Sequence, residues 1–113
     1  MKKWKTLLEN SNYEISNEGE LRNKKGKLLS LNMNKRGYLY CNISSNGKVS
    51  KVKIHILVAK YFVDNPFNKD TVNHRDGNKL NNHYLNLEWL TRKENIRHGW
   101  KTGLYKPHNP YKR

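Results

Sequence analysis

Acidic residues are scarce in this chain: 9 Asp and Glu stand against 23 Lys and Arg in 113 residues, a formal charge of +14. With a pI near 10.0 the surface repels itself, so a polyanion is the expected partner. Cysteine is almost missing. A single Cys41 excludes an internal disulfide, a CxxC redox pair and any multi-cysteine zinc site. No apolar run approaches the roughly 20 residues needed to cross a bilayer. The basic start MKKWKTLLENSNYE has too short an apolar stretch for a secretory signal. A soluble protein of a reducing, cytoplasmic setting that crosses no membrane is therefore expected, and composition leaves nucleic acid, an anionic membrane surface and RNA-structural roles all open. Core-forming residues are also few, at 35% hydrophobic and a mean hydropathy of −1.07. A domain of this size buries only about two-thirds of its unfolded surface, so the 12 aromatics are expected to supply much of the core.

Asparagine, by contrast, is abundant: 17 residues, concentrated at 10–12, 32–34, 65–68 and 78–82. Asn tolerates left-handed backbone and bonds its own main chain, so these clusters read as turns. The segments between them keep regular apolar spacing. Tyr13 to Ile15 and Glu20 to Arg22 read as strands around the turn Ser16 to Gly19, with an apolar stretch at Leu28 to Leu31. Tyr38 to Ile43 and Val49 to Lys53 flank the hairpin signal Ser45-Asn46-Gly47. A meander of three or four strands is expected. The period then changes to 3.6, with Ile54, Leu57, Val58, Tyr61 and Phe62 on one helical face and Asp64-Asn65-Pro66 as the stop.

From Thr71 the order is strand, loop, strand, helix. Thr71 to His74 can be a short strand, Arg75-Asp76-Gly77-Asn78 is a turn, and Leu87 to Leu90 is a second strand. Thr91-Arg92-Lys93-Glu94 has capping-box spacing, which starts a helix at Arg92. His74 ends the first strand and Asn95 lies in the first turn of the helix. In a hairpin backed by a helix, the two are expected to face one another across a small cleft.

These residues carry a resemblance. Asn73-His74, Asn86 and Asn95 match the His-Asn-His or His-Asn-Asn pattern of HNH endonucleases, and VNHRDGNKLNN…NLEWLTRKEN resembles the branch found in phage and intron homing enzymes. Trp4, YEISNEGELR (13–22), Lys27-Leu28-Leu29 and Gly37-Tyr38 are similar to the small N-terminal module that commonly precedes such domains. KIHILVAKYFVDNP (53–66) is similar to the joining helix, so the resemblance covers Trp4 to His98. It implies an α+β fold: a small N-terminal antiparallel β-sheet with a connecting helix, then a ββα-metal (HNH) motif. The division would be 1–51 for the β module, 52–100 for the nuclease domain with its connecting helix, and 101–113 for a basic tail.

The activity implied is metal-dependent hydrolysis of phosphodiester bonds in double-stranded DNA, by nicking or cutting. His74 would be the general base that activates water, and a neutral imidazole suits that task. Asn73 and Asn95 would hold one divalent cation, Mg²⁺ or else Mn²⁺. Asn86 would brace the loop carrying the base, and His98, three residues after Asn95, would approach metal-bound water or the phosphate. One departure stands out: many HNH nucleases have Asp before the histidine, where this chain has Asn73, a weaker ligand for a hard cation. A second reading follows from it, an HNH-fold DNA-binding or accessory protein of a phage or mobile element with impaired catalysis.

Charge adds candidates for DNA contact. No acid follows Glu94, whereas Arg92, Lys93, Arg97, Lys101, Lys106, Lys112 and Arg113 surround or follow it, interleaved with Trp100, Tyr105 and Tyr111. That pattern reads as a DNA-contacting arm. Lys53, His55, Arg75 and Lys79 are the remaining candidates, although His55 sits at the edge of the apolar face and suits a structural role as well. Trp89 reads as core. Homing relatives typically continue into further DNA-reading modules, so the expectation is a monomer or weak dimer with either modest specificity or specificity supplied by a second copy or a protein partner.

Overall fold

Two three-stranded antiparallel sheets and one two-stranded hairpin share a single apolar core. The computed structural model describes residues 1–101, with side chains placed through Arg97. The expected arm from Lys106 to Arg113, and the side chains of His98, Trp100 and Lys101, lie outside the described residues.

The first sheet joins β1 (Trp4–Thr6), β2 (Tyr13–Ser16) and β3 (Leu21–Asn23) in that order. The second joins β4 (Asn32–Met33), β5 (Leu39–Ser45) and β6 (Lys48–Lys53). Ser45 pairs with Lys48, which leaves Asn46 and Gly47 as a two-residue loop with φ of 52° and 79°. Positive φ at both positions is the hairpin geometry that the Asn-Gly pair favours. The expected single meander is thus six strands in two sheets. Trp4–Thr6 and Asn32–Met33 escape a pattern reading because three and two residues are too short to show alternation.

Helix α1 (Ile54–Phe62) follows β6 without a loop. Its apolar face is the one the spacing predicts: Ile54 and Val58 are fully buried, and Leu57 nearly so. They meet Ile15 and Leu21 of the first sheet, Cys41 and Ile43 of the second and Leu87 of the hairpin in one cluster. Each such aliphatic side chain contributes roughly 1.5–3 kcal/mol when fully buried. The innermost core is aliphatic, and the aromatics Tyr13, Tyr61, Phe62, Tyr84 and Trp89 pack around it half-buried. That corrects the expectation from composition: flat rings at this size close the core's rim.

The hairpin of β7 (Thr71–His74) and β8 (Leu87–Leu90) lies between two helices. Val72 opposes Trp89, whose Nε1 donates to the carbonyls of Ala59 (3.4 Å) and Val63 (3.2 Å) at the end of α1. Strand alternation turns Thr71, Asn73 and Glu88 to the other face, where helix α2 (Arg92–Lys101) packs. The predicted capping box is formed. The Glu94 amide donates to Thr91 Oγ1 at 3.2 Å, and Glu94 Oε1 accepts from the Thr91 amide at 2.9 Å and from Lys69 Nζ at 2.9 Å. These bonds, the Thr91 amide first, hold the Glu94 carboxyl down to about 2. Among the described residues no helix is long and apolar enough to cross a membrane.

Candidate active site

His74 ends β7 on the α1 side of the hairpin, with only 4% of its surface exposed. Its ring lies 5.2 Å from that of His55, which stacks on Tyr38 with centroids 4.7 Å apart. Its Nε2 is 2.7 Å from Asn82 Oδ1. An amide oxygen only accepts, so this contact places the proton on Nε2 and leaves the lone pair on Nδ1. Burial pushes the His74 pKa below its usual 6.5 and, joined by His74 and Lys53, takes His55 down to about 3. Both rings are neutral at neutral pH.

Parts from three stretches of chain position this ring. Tyr38 comes from the turn before β5, and Lys79 ties that turn to the loop after β7. Lys79 Nζ donates to the Arg36 carbonyl at 2.7 Å and lies 4.7 Å over the Tyr38 ring. Asn82, itself 4% exposed, rests against the β2–β3 turn of the first sheet. Gly19 in that turn has φ +91°, and a Cβ there would lie 2.9 Å from Asn82 Cβ. Gly19→Ala is therefore expected to lower stability by about 1–3 kcal/mol in chemical denaturation, since strain and a backbone shift coincide. An unchanged midpoint would show that the turn and Asn82 are not packed this tightly.

Asn86 is wired into the same loop. Its Nδ2 donates to Asp76 Oδ1 (2.9 Å) and to the Asn81 carbonyl (2.8 Å), and its Oδ1 accepts from the Asp76 amide (3.1 Å). Asp76 is used by the turn: it also accepts from the Asn78 amide and from Asn81 Nδ2, at 2.8 and 3.0 Å. The hydrogen bond from Asn81 leads the causes that keep its carboxyl ionised below the usual range.

The α2 face carries a second group. Asn73 Nδ2 donates to Glu88 Oε2 at 2.9 Å, and Asn95 Nδ2 to Thr71 Oγ1 at 3.4 Å. Asn73 and Asn95 are thus brought together on the α2 face of the hairpin. The sequence reading set His74 and Asn95 face to face; along β7 the side chain of His74 alternates with those of Thr71 and Asn73, and His74 stands at the strand's end, next to Asn73. Asn82, Glu88, Thr71 and Tyr38 are contacts that motif spacing did not give.

The NUMOD4 motif model matches residues 3–44, and the HNH endonuclease model matches residues 52–97. The solved structure of the HNH homing endonuclease I-HmuI, described for its DNA binding and cleavage, superposes with a TM-score of 0.83 at 34% identity. This chain carries an HNH endonuclease domain behind a NUMOD4 motif. That match covers 92% of this chain and 61% of the solved one. An HNH endonuclease of Acanthamoeba polyphaga mimivirus, L245, is 49% identical over 105 residues, 92% of this chain and 32% of the relative. I-HmuI of Bacillus phage SP01 is 37% identical over 92 residues, 80% of this chain and 53% of the relative. The H-N-H endonuclease F-TflII of Escherichia phage T5 is 32% identical over 111 residues, 96% and 56% of the two. The chain spans between about a third and just over half of these relatives' lengths.

HNH endonucleases generally work with a divalent metal ion, and the donor set of this HNH domain fits one. Asn73 and Asn95 each turn the amide nitrogen to a protein acceptor, which leaves each Oδ1 available, and the Glu88 carboxylate lies beside Asn73. An all-oxygen set suits a hard cation. It depends on amides, because among the described residues no three His, Cys, Asp or Glu side chains gather as a metal cluster.

The candidates for DNA contact fall into two groups. Lys53 is exposed at the start of α1, and Arg92, Lys93 and Arg97 are exposed on α2. Arg75 Nη1 reaches Glu88 Oε1 at 3.4 Å while more than half exposed. Lys79 is committed to Arg36 and Tyr38. His55 is corrected: at 6% exposure and uncharged, it packs between Tyr38 and His74 and presents nothing to a phosphate. The structure adds Lys35, Arg36 and Lys51, which line a cleft of roughly 540 Å³ with Lys53, Met33, Asn34 and Tyr40.

Proposed function

We propose that this protein is a metal-dependent endonuclease that hydrolyses phosphodiester bonds in duplex DNA. The observation that supports it best is the buried, neutral His74, oriented by Asn82 with Nδ1 unprotonated, on the strand that also carries Asn73. In this reading His74 Nδ1 takes the proton of the attacking water. Asn73 and Asn95 hold one divalent ion through their Oδ1 atoms, Mg²⁺ by preference with Mn²⁺ as a substitute. When bound, such an ion neutralises the phosphate and the leaving 3′ oxygen. Asn86 keeps the 75–82 loop, and with it Asn82, in place behind the base. Residues 1–51 and the cations Lys53, Arg75, Arg92, Lys93 and Arg97 grip phosphates, with residues 52–100 as the cutting unit. A single such site cuts one strand, so a monomer nicks and a double-strand break requires a second copy or a second encounter.

Supercoiled plasmid tests the reading directly. Nicked circles are expected with Mg²⁺ or Mn²⁺ and none with EDTA, while retardation of a labelled duplex survives EDTA. Binding falls steeply with salt, at a log–log slope of about −0.9 per phosphate neutralised. Tight duplex binding without cleavage under any divalent metal would overturn the nuclease reading. It would favour the DNA-binding accessory role that Asn73, in the place of a carboxylate, also suits.

A further inference from the structure

The amide at Asn73 raises a question of orientation, because an amide can offer a cation either its oxygen or the wrong end. Asn73 and Glu88 are directly opposed in the β7–β8 register. The 2.9 Å contact from Nδ2 to Oε2 sets the amide's direction. A carboxylate has only acceptors, so Asn73 must turn its nitrogen to Glu88 and its oxygen away. Thr71 does the same for Asn95. Its hydroxyl hydrogen is committed to the Leu90 carbonyl at 2.6 Å, so only lone pairs face Asn95 Nδ2.

We infer that Glu88 is a positioning residue for the cation site: it fixes the Asn73 amide with Oδ1 outward and, by its charge, makes that neutral oxygen a stronger donor. The inference rests on the proposed ligand role of Asn73 and Asn95. A merely structural reading gives Glu88 to Arg75, through the 3.4 Å contact from Nη1 to Oε1. That pair is more than half exposed on the arginine side, and such pairs contribute little. Asn73 is buried at 5% exposure and gains most from the carboxylate.

Glu88→Gln separates the readings. Glutamine keeps the shape but can donate as well as accept, so the facing amides can both flip and Oδ1 is no longer held outward. Asn73→Asp removes the need for orientation, because a carboxylate offers oxygen at either end. Mn²⁺ binding to the full chain, read from the paramagnetic resonance of the free ion, provides a measure independent of cleavage. Glu88→Gln is expected to weaken Mn²⁺ binding about 10-fold, within the range for partners that orient ligands, with the unfolding midpoint unchanged. In the Asn73→Asp background the same change is expected to cost little, a strong non-additivity between neighbours. An equal loss in both backgrounds, or no loss in the wild-type background, overturns the role of Glu88. Asn95→Ala supplies the separate control: if it leaves Mn²⁺ binding intact, the ligand assignment itself fails.

Discussion

His74→Gln is expected to cut single-turnover DNA cleavage by about 10²–10⁴-fold, the range of a positioned general base, while duplex binding is retained. A glutamine at this position can donate its amide to Asn82 Oδ1, where the imidazole donates now at 2.7 Å. It has no basic nitrogen to accept the proton of the attacking water, so contact and chemistry are separated. His74→Ala leaves a hole beside the His55 ring, and added imidazole is expected to restore part of its cleavage. The wild-type pH profile carries the same information. Burial disfavours the imidazolium form, so the free enzyme's base titrates below 6.5. Only the neutral ring accepts a proton, hence kcat/KM should fall as pH drops through the lowered pKa, an acid limb lying below that of an ordinary histidine. Cleavage by His74→Gln near the wild-type rate would remove His74 from the chemistry.

Some of this architecture is legible in the residues because it is local. The change of period at Ile54 and the capping box of Thr91 and Glu94 each depend on neighbours within a few positions, and the order Asn73-His74, Asn86, Asn95 is legible through its resemblance to the family pattern. The ββα arrangement follows from them. What joins distant stretches is not legible. Asn82 looks like one more turn residue in an Asn-rich loop, and only the close approach of Gly19 and the 2.7 Å contact to His74 mark it out. Glu88 reads as the outward position of LEWL, because its pairing with Asn73 depends on how the 75–86 loop closes the hairpin. His55 shows the reverse: its place at the edge of a helical face suits a phosphate contact or a structural role alike, and Tyr38, from the turn before β5, covers it and decides for the second.

Asn82→Leu is expected to slow cleavage about 10–100-fold, the usual cost of removing the partner that fixes a histidine's tautomer. Leucine nearly matches the side chain in shape but cannot accept from Nε2. The buried N–H is then left without its acceptor, which costs about 1–3 kcal/mol and should appear as a lower denaturation midpoint. The ring escapes part of that cost by moving its proton to Nδ1, and the lone pair needed for water is lost with it. Asn82→Asp works in the opposite direction. A carboxylate accepts from Nε2 more strongly and stabilises the imidazolium, so the His74 pKa rises. Its acid limb in kcat/KM should move to higher pH, with slower cleavage than wild type near pH 6 and a comparable rate near pH 8. The two substitutions thus predict a loss at every pH for Leu and a pH-dependent loss for Asp. If the Leu variant cleaves at the wild-type rate across that range, Asn82 is packing only, and the proton on His74 is placed by something other than this contact.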